Sequence, residues 1–119
     1  MNRTSSVFNP ALPEGVTLEE NVYVTMRDGV KISLDIYRPT AKGRYPAIFS
    51  TSAYIKGIQT YAPELSHSIE AGATFFMVKN GYVHVIGQAR GSGLSQGQYN
   101  WYDQEEQKDG YELVEWIAR

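Results

Sequence analysis

A serine in the glycine-rich stretch 87–99 matches the pattern G-x-S-x-G, in which a serine hydroxyl can act as a nucleophile. That motif requires the serine to lie on a strained turn directly between a strand and a helix. Ser95 instead lies about eight residues past the nearest predicted strand, and the next helix starts only after Tyr102. The spacing therefore favours a structural loop serine over a nucleophile.

Glycines after a buried strand are also typical of dinucleotide-phosphate loops. The stretch 91–96 lacks the third glycine of that fingerprint, no helix starts there, and no acidic residue ends a following strand. We therefore interpret it as a surface loop that turns sharply beside a binding cleft. Arg90 is predicted to hold this loop through an ion pair with Asp103 or Asp109.

Tyr54 is the residue with the best position for chemistry on sequence grounds. It follows a predicted buried strand directly, and ligands of open α/β sheets bind beyond the carboxyl ends of the strands. A tyrosine hydroxyl at that edge can donate a hydrogen bond to a developing oxyanion. Ala53, Arg90 and Gly91 are predicted to form cleft loops at the same edge.

The remaining titratable residues give weaker signals. His67 is predicted to be a surface or boundary histidine, and His84 is predicted to be a satisfied core histidine within a strand. Two histidines 17 positions apart do not make a metal site, so no metal and no other cofactor is expected. The last predicted helix carries a run of carboxylates that is predicted to be a solvated face: Glu105, Glu106, Asp109 and Glu112.

Composition narrows the class of protein. The 119 residues are 42% hydrophobic and 20% charged, as in ordinary globular domains, and the formal net charge is -2 without a basic cluster. This argues against nucleic acid or an anionic membrane surface as partners. Cysteine is absent, which excludes a thiol nucleophile and disulfides. With no signal-peptide or membrane-spanning pattern, the protein is expected to be cytoplasmic.

The first half of the chain predicts an antiparallel hairpin. Residues 1–18 are polar and contain two prolines, so they are predicted to form an irregular arm before a domain at 19–119. Residues 21–26 and 31–38 have strand character, and the second run alternates like a strand with one buried face. Asp28-Gly29 between them is a strong hairpin signal, because glycine adopts positive φ at little steric cost.

The second half predicts a βαβ unit followed by a helix. The runs 45–51 and 81–87 are nearly continuous apolar stretches, predicted to be strands buried on both faces. Between them, 64–80 is predicted to be a crossover helix with an Asn80-Gly81 cap and an apolar stripe at Leu65, Ile69, Ala73, Phe76 and Met77. Such a unit requires parallel strands.

A final helix is predicted at 105–119, with Asp103 as its N-cap. Its apolar contacts are assigned to Tyr111, Val114, Trp116 and Ile117. The fold class is α/β, with a mostly parallel but incomplete core sheet. The apolar strand 82–87 is expected to leave one edge open for a further parallel strand.

In their order along the chain, these segments resemble the N-terminal part of the cocaine esterase-like (CocE/NonD) acyl esterases, relatives of Xaa-Pro dipeptidyl-peptidases. The resemblance covers about residues 20–119 and is carried by segments 26–31, 35–39, 45–48, 53–54, 81–83, 90–97 and 109–116. Two departures are visible. The family often has an aspartate in the stretch filled here by Gln88-Ala89, and often a proline where this chain has Ala53.

The resemblance implies a serine hydrolase of the α/β-hydrolase fold with a Ser-His-Asp triad. It assigns the hydroxyl of Tyr54 to the oxyanion hole and places all three triad residues outside this chain. The expected partners are then a small acyl ester or peptide-like substrate and the remainder of the hydrolase polypeptide or a complementing chain. The alternative is a truncated, non-catalytic binding or assembly module on the same half-sheet, and this chain alone is expected to be inactive in either case.

Overall fold

The computed structural model describes residues 12–53, 73–101 and 103–119. The elements in chain order are β1 (Val16–Thr25), β2 (Lys31–Pro39), β3 (Ala47–Ser52), α1 (Thr74–Lys79), β4 (Val83–Gln88) and α2 (Gln104–Ile117). The strands form one sheet in the order β1-β2-β4-β3. This mixed sheet with its helices confirms the α/β class.

The pairing of the strands corrects one detail of the prediction. β3 and β4 are parallel, as the βαβ pattern predicted, but β2 pairs antiparallel with both β1 and β4. Within the described residues, only one pairing of three is therefore parallel, and the expected mostly parallel sheet does not hold for this part. The reason is that the hairpin adds its second strand directly to β4 rather than packing elsewhere.

The β1–β2 hairpin turns where Asp28-Gly29 predicted it. Gly29 has φ +86°, and its N–H donates to the Met26 carbonyl at 2.9 Å. The Asp28 Oδ1 accepts from the Val30 N–H at 3.2 Å. Glycine is favoured here because an L side chain is strained in this left-handed conformation.

β1 begins earlier than the sequence predicted. It starts at Val16, inside the segment predicted as an irregular arm, and Val16 pairs with Pro39. A bulge between Glu19 and Val22, with Asn21 at φ +54°, interrupts the register. The bulge breaks the alternation of polar and apolar residues, which is the signal on which strand prediction depends.

Burial in the sheet follows strand position rather than residue pattern. β2 is buried on both faces, not one, because it lies between β1 and β4. Its buried polar side chains have partners: the Asp35 Oδ1 accepts from the Asn21 N–H at 3.0 Å, and the Ser33 Oγ donates to the Asn21 Oδ1 at 3.5 Å. The prediction that β4 is buried on both faces is confirmed.

The prediction that β3 is buried on both faces was wrong. It lies at the edge of the described sheet, and most of its residues are only partly buried. β4, which was expected to have an open edge, instead has β2 on one side and β3 on the other. The open edges of the described sheet thus belong to β1 and β3. An apolar run shows that a strand can be buried, but not which neighbours cover it.

In the part of the chain that the structure describes, each face of the sheet carries one helix over an apolar cluster. Successive side chains of β4 alternate between the faces, so Val85 joins the cluster with Leu113 of α2 and Ile86 joins the cluster with Val78 of α1. Leu113, at 2% exposure, is the apolar anchor of α2. Trp116 and Ile117 pack beside it as predicted.

Individual members of both predicted helix stripes were assigned incorrectly. Tyr111 and Val114 of α2 are 70% and 52% exposed, and Phe76 of α1 is 69% exposed. Leu65 and Ile69 lie outside the described residues. The helix ends are confirmed: Asn80 caps α1 and is followed by Gly81 at φ +89°, and the Asp103 Oδ1 accepts from the Glu106 N–H at 3.0 Å.

Candidate active site

The carboxyl ends of β3 and β4 lie side by side and define the edge at which a ligand would bind. The Ser52 carbonyl accepts a hydrogen bond from the Ala89 N–H at 2.9 Å, which joins the two strand ends. Ala53 follows β3 at this edge and is exposed. The next residue, Tyr54, lies outside the described residues, so its role as an oxyanion donor stays a prediction.

Arg90 follows β4 and binds two carboxylates at once. It donates to Asp109 from Nε at 2.7 Å and from Nη2 at 2.7 Å, and to Asp28 from Nη1 at 2.6 Å and from Nη2 at 3.3 Å. The predicted anchor is confirmed for Asp109, and Asp28 is an additional partner. A guanidinium held by two carboxylates in this forked geometry positions a loop rather than a substrate.

The pKa values of Asp28 and Arg90 shift in the direction that keeps each of them charged. The hydrogen bond from Arg90 lowers the pKa of Asp28 to about 2. The hydrogen bond to Asp109 raises the pKa of Arg90 above its ordinary value. Opposite charges within hydrogen-bond distance favour the charged forms of both partners.

The carboxylate run of α2 is not a solvated face, which corrects the sequence interpretation. Arg27, in the hairpin turn, donates to Glu105 at 2.5 Å, to Glu112 at 2.5 Å and to Asp109 at 3.0 Å. Asp109 is only 3% exposed and accepts from both arginines. The hairpin turn, the start of the glycine loop and α2 are therefore joined through one buried carboxylate.

Ser95 lies in the glycine loop as a structural residue, as the spacing predicted. Its Oγ donates to the Gln88 carbonyl at 2.7 Å and accepts from the Ser33 N–H at 2.9 Å. β4 ends at Gln88 and the next helix begins at Gln104, so Ser95 is not on a strand-to-helix turn. Both bonds fasten the loop to the sheet.

The loop glycines are required by close packing rather than by a phosphate. Gly91 has φ +78°, and a Cβ added there would lie 2.1 Å from the Tyr99 backbone nitrogen. Gly93 has φ +51°, and a Cβ there would lie 1.9 Å from the Gln88 Nε2. No helix begins in this loop to supply a phosphate-binding N-terminus.

We expect Gly91→Ala to destabilise the fold by about 3 kcal/mol, from left-handed strain plus a backbone clash. Gly81→Ala is the matched control, because Gly81 has φ +89° but nothing within 4 Å of its added Cβ. Its cost should be about 1 kcal/mol, from strain alone. Urea unfolding followed by circular dichroism measures both values, and equal losses would show that packing at Gly91 is unimportant.

Gln88 is a residue that sequence reasoning did not single out. It is 2% exposed at the end of β4, and its Oε1 accepts from the Leu94 N–H at 3.3 Å. Its Nε2 is buried and has no hydrogen-bond partner among the described residues. The only sequence signal was that the resemblance to the CocE/NonD family leads one to expect an aspartate in the stretch Gln88-Ala89. An aspartate would have no amide N–H to leave unpaired.

His84 is a satisfied core histidine, as predicted. Its side chain is fully buried, with Nε2 lying 3.1 Å from the Ser50 Oγ and Nδ1 lying 3.0 Å from the Thr74 Oγ1. Burial lowers its pKa to about 4, so the imidazole is neutral at physiological pH. His67 lies outside the described residues. Among those that are described, no cluster of three histidine or carboxylate side chains is arranged for a metal ion.

No helix in the described ranges combines the length and apolar character needed to cross a bilayer.

Comparison with known proteins assigns the family. The model of the X-Pro dipeptidyl-peptidase family S15 matches residues 28–119. The chain is 36% identical over 110 residues to a predicted serine esterase of Mycobacterium bovis, covering 82% of this chain and 18% of that protein. It is 30% identical over 102 residues to the cocaine esterase of Rhodococcus sp., covering 85% and 17%.

A solved structure agrees with these matches. The CocE/NonD family hydrolase of Staphylococcus aureus superposes with a TM-score of 0.76 at 31% identity, over 93% of this chain and 21% of that one. The chain thus spans about a fifth of the length of these relatives. It is a member of the X-Pro dipeptidyl-peptidase family S15, a family of esterases and peptidases, and corresponds to the N-terminal part of the CocE/NonD hydrolases.

Proposed function

We propose that this chain is the N-terminal part of a serine hydrolase that cleaves ester or amide bonds. Tyr54 supplies its hydroxyl to the oxyanion hole, and the remainder of the polypeptide supplies the Ser-His-Asp triad. The substrate class includes small acyl esters and Xaa-Pro peptides, in line with the names of the family and its relatives. The proposed location is the cytoplasm.

One observation is the main support for the proposed role of Tyr54 in the oxyanion hole. The hydrogen bond between Ser52 and Ala89 joins the carboxyl ends of β3 and β4, and Tyr54 is the second residue after β3. Substrates of α/β proteins bind just beyond this edge of the sheet, which supports the proposal for a residue that follows β3 so closely in the sequence. The clamp of Arg90 on Asp28 and Asp109 supports the proposal, because it fixes the loop that follows the neighbouring strand.

The proposed mechanism is acyl transfer through a tetrahedral intermediate. The serine oxygen attacks the carbonyl carbon, its proton passes to the histidine, and negative charge develops on the carbonyl oxygen. The Tyr54 hydroxyl and a backbone N–H would donate to that oxygen. Both hydrogen bonds strengthen as charge develops, so they stabilise the transition state more than the bound substrate.

We expect Tyr54→Phe to lower kcat about a hundredfold in the polypeptide that includes the triad, with little change in KM, because the lost donor acts mainly on the transition state. The assay is hydrolysis of a short-chain acyl ester. Tyr111→Phe is the control, since Tyr111 is 70% exposed on α2, and it should retain full activity.

Two results would contradict the proposal. Unchanged kcat in Tyr54→Phe would remove Tyr54 from the oxyanion hole. Hydrolysis at full rate by the 119-residue chain alone would show that the triad does not lie in the remainder of the polypeptide.

A further inference from the structure

Trp101 lies at the end of the glycine-rich loop, and it is 78% exposed. No other large apolar residue within 12–53, 73–101 and 103–119 is as exposed. Burial of an indole ring removes a large apolar area from water, so an exposed ring forgoes most of that stabilisation. The exposure of Trp101 therefore does not serve the packing of the described fold.

The backbone at Trp101 is also strained. Its φ is +46°, in the left-handed region that a bulky L residue rarely adopts. Asn21 is the other non-glycine residue with positive φ among those described, and asparagine tolerates this conformation. Such strain persists where the surrounding structure fixes it, and it is concentrated at functional sites. Strain together with exposure indicates that Trp101 serves binding rather than stability.

The loop holds Trp101 beside the candidate active site. The backbone nitrogen of Tyr99 packs against Gly91, the third residue after β4. On the other side of Trp101, Asp103 is fixed as the N-cap of α2. The rings of Tyr99 and Trp101 are in contact, with centroids 5.7 Å apart and planes tilted by 51°. This aromatic pair therefore follows the carboxyl end of β4, the edge at which ligands of α/β sheets bind.

The chemistry of the pair favours a neutral aromatic ring as its ligand. Tyr99 covers only part of Trp101, which stays 78% exposed. An indole binds another aromatic ring in an offset-stacked or edge-to-face arrangement. The next carboxylates along the chain already have partners, since Asp103 caps α2 and Glu105 pairs with Arg27. Recognition at this place therefore depends on the rings rather than on charge.

We propose that Trp101 determines specificity in the hydrolase by stacking on an aromatic ring of the ester substrate. The inference rests on the proposed function for the reaction, whereas the binding of a ring can be measured without it. The ring belongs either to the acyl group or to the alcohol of the ester, because both present the same face to an indole.

The first test detects ring binding without catalysis. In the isotope-labelled chain of 119 residues, the indole N–H groups of its two tryptophans give separate NMR signals, and Trp101→Phe assigns them. The ligands are benzyl acetate, with a ring in the alcohol, methyl benzoate, with a ring in the acyl group, and methyl acetate, with no ring. We expect a saturable shift of the Trp101 signal with a ring-bearing ester and none with methyl acetate. Trp116, which packs against the core, should shift less.

The second test measures specificity in the polypeptide that includes the triad. For the ester that shifts the Trp101 signal, Trp101→Ala should lower kcat/KM by roughly five- to tenfold, mainly through a higher KM. Hydrolysis of methyl acetate should be unchanged. Trp101→Phe keeps a ring and should lose less. Tyr111→Ala is the control, because it removes a residue that is 70% exposed on α2 and should affect none of the three esters.

A third variant, Trp101→Gly, separates binding from stability. Glycine removes the ring and adopts positive φ without strain, whereas alanine removes the ring and keeps the strain. The glycine variant should therefore unfold at a higher urea concentration than the alanine variant, and both should lose ring binding equally. Unfolding of both variants well below the urea midpoint of the parent would show that the indole serves stability instead.

Two further results would overturn the proposal. Equal shifts with all three esters, or a shift at Trp116 alone, would mean that Trp101 does not recognise a ring. Equal losses of kcat/KM for all three esters in Trp101→Ala would make Trp101 a structural residue. Inactivity of the parent polypeptide would instead contradict the proposed function, and the NMR titration would still decide whether Trp101 binds a ring.

Discussion

Asp109→Asn is expected to destabilise the fold by about 3–5 kcal/mol. The substitution removes the buried carboxylate that pairs with Arg90, and it therefore leaves the positive charge of this buried guanidinium only partly compensated. Asp109 is 3% exposed, and Arg90 beside it is 8% exposed. The neutral amide has one acceptor oxygen where the carboxylate has two, so it cannot accept from both Nε and Nη2 of Arg90.

The same change also loosens the hairpin turn. Arg27 donates to Asp109 at 3.0 Å, but its other carboxylate partners, Glu105 and Glu112, are partly exposed and remain in place. Pairs near the surface contribute little, so the loss should come mainly from Arg90. Since small domains have a free energy of unfolding of about 5–15 kcal/mol, Asp109→Asn should bring this chain close to unfolding.

Urea unfolding followed by circular dichroism measures the loss. The control is Glu115→Gln, which removes an exposed carboxylate from the same helix and should change stability by no more than about 0.5 kcal/mol. A loss for Asp109→Asn within about 1 kcal/mol of the control would mean that the cluster does not hold the three segments together.

The buried His84 is expected to make stability fall as the solution becomes mildly acidic. Burial lowers the pKa of His84 from 6.5 to about 4 in the folded state. Between these values the unfolded chain binds a proton that the folded chain does not, so acid favours unfolding. This stabilisation is fully present above pH 6.5, is lost as the pH falls from 6.5 towards 4, and amounts to about 3 kcal/mol.

The measurement compares the free energy of unfolding at pH 7 and pH 4.5 for the parent chain and for His84→Gln. Glutamine can keep a hydrogen bond to Ser50 or Thr74 but does not titrate, so the variant should be less stable at pH 7 and less sensitive to pH. The pKa of Asp28 is about 2 in the folded state, so this carboxylate takes up its proton at lower pH and does not dominate the change between pH 7 and pH 4.5. Identical pH dependence in both proteins would show that His84 is not protonated on unfolding.

Short-range signals in the sequence correctly predicted the hairpin turn and two helix ends. Asp28-Gly29 placed the hairpin, Asp103 placed the N-terminus of α2, and Asn80-Gly81 placed the end of α1. Each depends on hydrogen bonds and backbone angles within a few residues of the signal. Such features form with little help from the rest of the fold, so the local residues determine them.

The sequence interpretation of Glu105, Asp109 and Glu112 failed for the opposite reason. Their partners Arg27 and Arg90 are separated from them in sequence by up to 85 residues, as between Arg27 and Glu112. A run of carboxylates in a helix sequence is typical of a solvated face, and the pattern does not show whether a distant segment supplies cations that pair with it. The assignment of Arg90 to Asp109 succeeded because the glycine loop and α2 are neighbours along the chain.

The sequence by itself determined the α/β class, the order of the strands and helices along the chain, the hairpin and the family. These follow from periodicity, turn residues and motif order, which are properties of neighbouring positions. Only the tertiary structure decided that β3 is an edge strand of the described sheet, that β2 is buried on both faces, and that Asp109 joins the hairpin to α2. Burial and ion pairing depend on which distant segments meet, and that is set by the packing of the whole sheet.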